Sequence, residues 1–388
     1  MATILTGLVD TEDVLGDERV VDMSEDIAHL DPDESQFTTM LQKMGSKEAF
    51  REKVNWLELE LFPRKSALAA SATAAATTIT VTTGEGTYFR AGDIVRVAAS
   101  GEAVKVDSVS TDTLTVTRSI GDVAAATAQS AVELVIISNA AAQGDTLGTR
   151  KMVKKVLGYN YTQIYRTPFG FTNTNVAIER YGGQEPLVEA RQSLISHKRG
   201  IEQTGFWGAR DFITSGDSEP LGVAGGIIEY LSTNVHAAGG ALSEANLDTY
   251  LRADLQHGSK NKVIFAAPVA MQAVSGFLRD NITKTTEGSR LWGAKVDTWI
   301  SGAYGYRVPV FVKKEWNDFA TASSQYGSWL FVIDMSNVKI RPLRGRNTKL
   351  LRNRQANDAD ETTHEYLTET SFEVRQEKTH GVTKGITS

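Results

Sequence analysis

Residues that could support acid–base or metal chemistry are present, but their spacing favours neither. No two of the six histidines stand at a spacing typical of metal ligands, and the chain has no cysteine to serve as a thiolate ligand or nucleophile. The serine-elbow motif, the zinc-protease motif and the phosphate-binding P-loop are also absent from the sequence. The sequence therefore predicts a protein that is not an enzyme and that holds no cofactor and no metal ion.

Two stretches of opposite charge are the most distinctive chemical feature of the chain. Residues 10–34 contain eleven carboxylates and one arginine, which is typical of a solvated tail or of an arm that lies on a basic partner surface. Residues 341–354 contain six basic side chains and no acid, which fits a solvated face, a phosphate-facing patch or a contact between subunits. The candidates for inter-subunit contact are Asp22, Glu25 and Asp26 in the acidic stretch and Arg344, Arg346 and Arg352 in the basic one.

A two-stranded ribbon is expected on either side of the chain's β-rich region. Residues 54–61 alternate between leucine and glutamate towards their end, which predicts a strand with one polar face. Residues 151–167 supply a partner strand whose lysines could oppose those glutamates. Because such a ribbon is only marginally stable alone, we expect it to lie on a neighbouring subunit. The contact candidates in the ribbon are Glu58, Glu60, Lys154 and Lys155.

Residues 66–138 form a compositional island between the two ribbon strands. Stretches of small residues open and close the island, and short β-prone segments alternate with turn glycines inside it. This pattern predicts a small all-β barrel or sandwich inserted between the ribbon strands. The glycine-rich residues 84–92 are not a phosphate loop, because no Lys-Ser/Thr pair follows them and no helix is expected there.

Residues 186–207 are predicted to form one long helix. Pro186 fits its first turn, where a missing N–H is tolerated. At about 1.5 Å per residue, the helix would be about 30 Å long and could act as a structural backbone. We expect a buried face with Leu187, Ala190, Leu194, Ile201 and Gly205, and a polar face with Arg191, Gln192, His197 and Gln203.

Residues 237–329 alternate between helical and buried-strand patterns, which predicts an α/β lobe. Ser243 and Pro268 stand where helices are expected to begin. Residues 262–266 and 328–334 are short apolar runs typical of buried strands. Together with the β-rich island and the ribbon, these elements give the chain an α+β fold class.

Length and composition set the broad class of the protein. A chain of 388 residues is too long for one core, so we expect about two to three domains. The formal net charge of -6 gives no general attraction to nucleic acid or to an anionic membrane. No apolar run approaches about 18 residues, which favours a soluble, intracellular protein without a membrane partner.

In the order of its segments, the chain resembles the major capsid proteins of tailed phages, especially the head proteins with a β-rich insert in the extended loop. The shared parts are an acidic N-terminal arm, a two-stranded extended loop, a long spine helix, an α/β lobe and a return strand. Where family members tend to have a proline, this chain has Gln36. The motifs that carry the resemblance are DMSEDIAHLDPDESQFTTMLQKMG (22–45), TTITVTTGEGTYFRAGDIVRV (77–97), TLTVTRSIG (113–121), NYTQIYRTPFGFTNTN (160–175), VIDMSNVKIRPLRGR (332–346) and TETSFEVRQEKTHGVTKGI (368–386).

The resemblance implies a passive shell protein with the capsid fold and an inserted small all-β domain. The implied partners are further copies in hexamers and pentamers, a portal protein, scaffolding or cement proteins, and packaged double-stranded DNA. The implied location is the virion, after assembly in the host cytoplasm. The implied divisions are the N-terminal arm (1–45), the extended loop (46–65 and 139–178), the inserted domain (66–138), the peripheral domain (179–236 and 330–388) and the axial domain (237–329).

Two other functions are compatible with the same patterns. A cellular nanocompartment shell would share the fold and enclose a cargo enzyme in place of DNA. A soluble α/β enzyme acting on sugars or nucleotides could carry residues 66–138 as a binding module. Nucleic acid inside native particles would distinguish the first alternative from a phage shell, and a monomer with measurable turnover would favour the second.

Overall fold

Contacts within the chain separate it into two units. The insert unit comprises Leu57–Leu157, and the main unit comprises Met1–Trp56 and Gly158–Ser388. The structure is a computed structural model. It describes residues 35–144, 148, 150–178, 185–214, 219–277, 282–283, 290–291, 294–295, 297–300, 305, 307–319 and 326–387.

The helices begin where the sequence supplies suitable terminal groups. Ser243 Oγ accepts the backbone N–H of Asn246 at 3.3 Å, and Pro268 is the first residue of its helix, so both predicted starts are confirmed. No described helix is long and apolar enough to cross a membrane. The described α-helices are α1 (Gln36–Lys43), α2 (Asn173–Ala177), α3 (Glu185–Trp207), α4 (Ile227–Tyr230), α5 (Glu244–Asp254) and α6 (Pro268–Phe277).

Strands form where β-branched and aromatic residues cluster or alternate with polar ones. The first nine described strands are β1 (Lys53–Glu58), β2 (Lys65–Ala67), β3 (Thr78–Thr80), β4 (Asp93–Val97), β5 (Ala103–Ser110), β6 (Thr113–Thr117), β7 (Glu133–Asn139), β8 (Val156–Tyr161) and β9 (Gln163–Thr172). The others are β10 (Asp211–Ile213), β11 (Leu221–Val223), β12 (Val235–Ala241), β13 (Lys262–Ala266), β14 (Ile282–Thr283), β15 (Arg290–Leu291), β16 (Ala294–Lys295), β17 (Asp297–Ile300), β18 (Arg307–Val312), β19 (Leu330–Asp334), β20 (Val338–Pro342), β21 (Lys349–Leu351), β22 (Glu361–Val374) and β23 (Gly381–Thr387).

The insert unit is built on a closed β-barrel, the first of the two alternatives expected for the island. Its strands lie in the order β2-β7-β4-β5-β6-β3. The chain after β2 closes the barrel on β3, because the Ala69 N–H donates to the Thr80 carbonyl at 3.0 Å and the Thr82 N–H donates to the Ala67 carbonyl at 2.9 Å. Closure satisfies strand edges that would otherwise be open to pairing with another chain. Alternate side chains fill the interior, among them Leu68, Ile79, Val81, Val95, Val97, Val104, Val106, Leu114, Val116 and Leu134.

A buried ion pair holds the loop that follows β6. Glu102 is fully buried and accepts hydrogen bonds from Arg118 Nη2 at 2.6 Å and Arg118 Nε at 2.7 Å. The Ser119 N–H adds a third bond at 3.1 Å. The Arg118 guanidinium lowers the pKa of Glu102, so the carboxylate stays ionised despite its burial.

The main unit contains a seven-stranded sheet with the order β12-β23-β19-β13-β18-β17-β14. Its central strands β13 and β19 are buried along their whole length, as their apolar sequences predict. Strand β13 pairs antiparallel with β19 and parallel with β18. The sheet also takes β19 and β23 from residues 330–387, so its strands are not confined to residues 237–329.

A second sheet of the main unit is organised around the 14-residue strand β22. One part of β22 pairs with β20 and another with β21, and β9 runs antiparallel along it from Glu361 opposite Thr172 to Thr370 opposite Gln163. In the sequence, the alternation at Phe372 and Val374 indicates only the end of this strand.

The long helix α3 is confirmed, but its buried face differs from the predicted one. Leu187 is 68% exposed, whereas His197 and Ser193 are buried. His197 Nδ1 lies 2.9 Å from Thr167 Oγ1, and its Nε2 lies 2.7 Å from Thr368 Oγ1. Periodicity assigned His197 to the polar face because it cannot show that two strands supply hydroxyl partners for both ring nitrogens.

The C-terminal end of α3 carries the aromatic centre of the main core. The Phe206 ring is fully buried, with its centroid 4.7 Å from that of Phe37, 4.9 Å from Trp316 and 5.3 Å from Phe265. Edge-on and tilted contacts of this kind add to the free energy gained from burial. The cluster therefore joins α1, α3 and the large sheet.

Glu202, one turn before Phe206, completes the N-terminus of α1. The side chain of Ser35 makes no capping bond, and the Glu202 carboxylate instead accepts the N–H groups of Phe37 and Thr38, each at 2.9 Å. The Lys313 ammonium donates to the same carboxylate, and both side chains are only 2% exposed. A tertiary contact thus replaces the local cap that a helix of this length would need.

His380 is buried in the main unit in its neutral form. Its Nδ1 accepts the Asp334 N–H at 3.1 Å, and its Nε2 lies 3.1 Å from the Arg375 carbonyl oxygen, to which it donates. Burial lowers the pKa of His380 to about 4. Since the unfolded chain takes up this proton first as pH falls, protonation of His380 favours unfolding below about pH 6.5.

Removing the cation that faces Glu202 should destabilise the main unit. Lys313→Met leaves a buried carboxylate without its counter-ion, and we expect the free energy of unfolding to fall by about 3–5 kcal/mol. Urea unfolding followed by circular dichroism measures the change. Lys314→Met is the matched control, because Lys314 is exposed and its loss should cost at most about 0.5 kcal/mol. Equal effects of the two substitutions would contradict a structural role for the pair.

Replacing His380 should weaken the acid sensitivity of the fold. Between pH 7 and pH 5, the wild-type chain should lose roughly 2 kcal/mol through this histidine, at about 1.4 kcal/mol for each unit of pKa. His380→Gln should reduce that pH-dependent loss, whatever its effect at pH 7. His257→Gln, at an exposed position, should leave it unchanged. Urea unfolding at both pH values tests this, and the same pH dependence in all three chains would show that His380 does not titrate as described.

Candidate interaction surfaces

Three buried carboxylates share one face of strand β22. Glu365, Glu369 and Glu373 are four residues apart, and every second side chain of a strand points to the same side. Their residues are 4%, 7% and 0% exposed. Buried carboxylates need cationic or hydrogen-bonding partners, and the arginines of the basic stretch provide several of them.

Glu365 lies between two arginines from different parts of the chain. Arg166 of β9 donates to it through Nη2 at 3.0 Å, and Arg354 Nε lies 3.9 Å from its Oε2. The Arg166 guanidinium lowers the pKa of Glu365. Arg354, at the end of the basic stretch, therefore shares a carboxylate of its own chain with Arg166.

The next two carboxylates neutralise further members of the basic stretch. Arg346 Nε lies 2.5 Å from Glu369 Oε2, and Arg341 donates to Glu373. Arg375 also donates to Glu373. Arg346 stays a predicted inter-subunit contact, although among the residues that the structure describes it already lies within ion-pair distance of Glu369 in strand β22.

Three cations of the basic stretch remain available on the surface. Arg344, Lys349 and Arg352 are exposed, and none has a carboxylate partner among the residues that the structure describes. The Arg344 guanidinium lies 6.0 Å from the Phe50 ring centroid, and Lys349 Nζ donates to the Gly345 carbonyl at 2.7 Å. The acidic candidates Asp22, Glu25 and Asp26 lie outside the described residues.

The ribbon predicted from the glutamate and lysine pairs is present but shorter than expected. Strands β1 and β8 pair with one another. Glu58 ends β1, Glu60 follows it, and the exposed residues Lys154 and Lys155 precede β8, so only Glu58 of the four candidates lies within a strand.

The apolar row of the ribbon is not buried in this chain. Val54 and Trp56 are the buried residues of β1, whereas Leu57, Leu59 and Leu61 are 62%, 56% and 92% exposed. The same part of the insert unit exposes further large apolar side chains, namely Phe62, Met152, Val156 and Leu157. Large apolar side chains this exposed, on two segments that flank paired strands, are typical of a protein–protein contact.

The histidines do not form a metal centre in the described part of the chain. No group of three histidine, aspartate or glutamate side chains there could hold a metal ion. His236 Nε2 is 2.9 Å from Asp254 Oδ1 and its ring stacks on Tyr250, whereas His197 and His380 have the structural contacts given above.

The carboxylates of β22 that pair with some arginines of the basic stretch were not identified from the sequence. The signal was present, because ETTHEYLTETSFEV repeats glutamate every fourth residue, as a strand with one acidic face would. Spacing alone could not pair Glu365, Glu369 and Glu373 with arginines up to about 200 residues away, since that pairing depends on how β9, β20 and β22 assemble.

Comparison with known proteins gives relatives along almost the whole chain. The sequence profile of the family described as SU10 major capsid protein matches residues 5–387. The major capsid protein of Pseudomonas phage PaMx41 is 23% identical over 333 residues, which cover 80% of this chain and 75% of that protein.

Solved structures give the same fold. The capsid of a native GTA particle matches with a TM-score of 0.50 and 11% identity over 99% of this chain and 100% of that one. A chain of Mycobacterium phage Bobi matches with a TM-score of 0.50 and 9% identity over 98% and 100%. These likenesses confirm the predicted α+β fold of a tailed-phage major capsid protein. Because the family profile spans nearly all of the sequence, the chain belongs to the SU10 major capsid protein family.

Proposed function

We propose that copies of this major capsid protein assemble into the icosahedral head shell of a tailed phage, and that the shell encloses double-stranded DNA. Hexamers and pentamers are the proposed building units, with a portal protein and scaffolding or cement proteins as further partners. Assembly in the host cytoplasm would precede incorporation into the virion. Double-stranded DNA extracted from nuclease-treated native particles would support the enclosure of a genome, and a protein cargo without DNA would contradict it.

The observation that best supports a shell subunit is the apolar surface of the ribbon. Leu61 and Met152 are each 92% exposed, and five other large apolar side chains nearby in sequence are more than half exposed. Leaving them in water gives up about 25 cal/mol for each Å² that a partner could cover. A second copy of the chain is the partner that a closed shell supplies at every position.

The divisions of the chain then have specific proposed roles. The insert unit has its own buried core, so it can fold around that core while the exposed apolar side chains of the ribbon contact a neighbour. Within the family architecture, we assign residues 1–45 to the arm, 46–65 and 139–178 to the extended loop, 66–138 to the inserted domain, 179–236 and 330–388 to the peripheral domain, and 237–329 to the axial domain.

The charged candidates have proposed roles in setting the register between subunits. Glu58 and Glu60 with Lys154 and Lys155 would pair along or across ribbons of adjacent copies. The acidic side chains at 22–26 would face the exposed cations of a neighbouring basic stretch. Exposed pairs contribute only about 0–1 kcal/mol each, so their effect is on orientation and specificity, repeated at every contact.

A charge on the apolar row should block assembly without unfolding the chain. Leu61→Asp places a carboxylate where we propose that a neighbouring subunit packs, and the desolvation cost should reduce the particle yield severely. Electron microscopy and sedimentation measure the yield, and thermal unfolding checks the fold. Val123→Asp, at another exposed apolar position of the insert unit, is the control. Normal particle yield from Leu61→Asp would mean that this row is not an interface.

Charge reversal should decide what the basic stretch contacts. Arg344→Glu with Arg352→Glu reverses two cations that have no carboxylate partner among the described residues, so we expect assembly to fail while the monomer stays folded. Lys substitutions at Asp22, Glu25 and Asp26 should partly restore particles. Arg346→Glu should instead lower the stability of the monomer, because it places a second carboxylate against Glu369. Normal assembly with poor DNA packaging would place the stretch against the genome.

A further inference from the structure

The insert unit contains a cleft that the shell function does not account for. It has a volume of about 360 Å³ and lies beside the end of strand β7, between the residues that precede β2 and those that precede β4. Its lining combines apolar side chains (Phe62, Pro63, Tyr88, Ile136 and Ile137) with polar ones (Arg64, Arg90, Asp93, Ser138, Asn139 and Lys151).

The single acid of the cleft is already saturated with hydrogen bonds. Asp93 is 2% exposed and accepts bonds from the Arg90 N–H at 2.9 Å, Arg90 Nε at 3.1 Å and Asn139 Nδ2 at 3.0 Å. Lys151 Nζ lies 3.2 Å from Asp93 Oδ2 and also donates to the Tyr88 carbonyl. Asp93 therefore positions two cations and can accept little more from a ligand.

Positive charge remains after this pairing. Arg64, Arg90 and Lys151 carry three positive charges against the one negative charge of Asp93. Arg64 is exposed and has no carboxylate partner among the described residues, and only the Nε of Arg90 is bonded to Asp93. Guanidinium groups with free N–H donors are suited to binding carboxylates in a bidentate manner.

The walls of the cleft favour a partner with large apolar side chains. Phe62 and Ile137 are 51% and 53% exposed, and Tyr88 and Ile136 are half-buried beside them. Residues that precede Phe62 and follow Lys151 include the exposed Leu61 and Met152, which fits a polypeptide partner better than a sugar or a nucleotide. The cleft thus fits a peptide that carries both carboxylates and large apolar side chains.

The chain itself contains such a peptide in its acidic stretch. Residues 8–17, LVDTEDVLGD, place four carboxylates among Leu8, Val9, Val14 and Leu15. Residues 10–34 carry eleven carboxylates against one arginine, and the basic stretch offers only three available cations. The carboxylates of the acidic stretch therefore outnumber the available cations of the basic stretch, and some of them can contact a second basic surface.

We propose that the cleft binds residues 8–17 of a second copy of the chain. The carboxylates around Glu12 contact Arg64 and Arg90, and the side chains of Val14 and Leu15 pack against Phe62 and Ile137. This inference rests on the proposed shell, because assembly brings copies together at high local concentration. The cleft would thus be a specific binding site for the part of the N-terminal arm that precedes residues 22–26.

Disulfide trapping tests the contact, because the natural chain has no cysteine. Leu15→Cys in one chain and Ile137→Cys in another are co-assembled and oxidised, and non-reducing electrophoresis should show a cross-linked dimer. Leu15→Cys with Val123→Cys is the control pair, since Val123 is exposed on the same unit but does not line the cleft. Dimer from the cleft pair alone supports the proposal. No dimer, or equal dimer from both pairs, overturns it and leaves the cleft for a different protein.

A second substitution tests the charge part of the contact. Adding Arg64→Glu to the Ile137→Cys chain should lower the cross-linked fraction about five-fold or more, because it replaces a guanidinium–carboxylate contact by repulsion. Adding Arg96→Glu, at an exposed position outside the cleft, should leave the fraction unchanged. Equal cross-linking with and without Arg64→Glu overturns the assigned carboxylate contact. Particle formation by the wild-type chain is scored separately by electron microscopy, so failure of this contact is distinguishable from failure of the shell function.

Discussion

The main unit depends on one buried carboxylate, that of Glu202. It accepts the first free N–H groups of helix α1, faces the Lys313 ammonium and lies one turn before the Phe206 aromatic cluster. Each of these contacts would be costly if left incomplete, because an unpaired charge or N–H group in a buried site loses its hydration without compensation. Three segments separated by more than a hundred residues are therefore fixed relative to one another at a single point.

The need of buried carboxylates for partners also determines which arginines of the protein are paired. The glutamates of β22 form ion pairs with Arg341, Arg346 and Arg354, because the burial of these carboxylates makes pairing necessary. Arg344 and Arg352 lie outside this network and stay exposed, so their charge can act on another molecule. A stretch that is uniformly basic in sequence thus divides into structural and available cations, and only the second kind can carry a contact between subunits or with DNA.

The insert unit has a complete core of its own, but part of its surface is apolar. Barrel closure and the Glu102–Arg118 pair complete its interior without help from other parts of the chain. Large apolar side chains nevertheless remain in solvent on residues 57–62 and 152–157, and the cleft at the end of β7 keeps excess positive charge. These surfaces contribute little to the folding of the unit itself. Burial of these surfaces against another subunit would instead stabilise the assembly.

Local signals in the sequence determined the elements whose stability is decided locally. Ser243 and Pro268 marked helix starts, the apolar runs around Ile264 and Val332 marked buried strands, and the spacing of turn glycines marked the small barrel. The tertiary structure alone decided that His197 is buried and that Glu202 caps a distant helix. It also decided that glutamates of β22 form ion pairs with three of the six cations of the basic stretch. These outcomes depend on partners up to about 200 residues away in the chain, and no local pattern encodes which buried polar group will meet which partner.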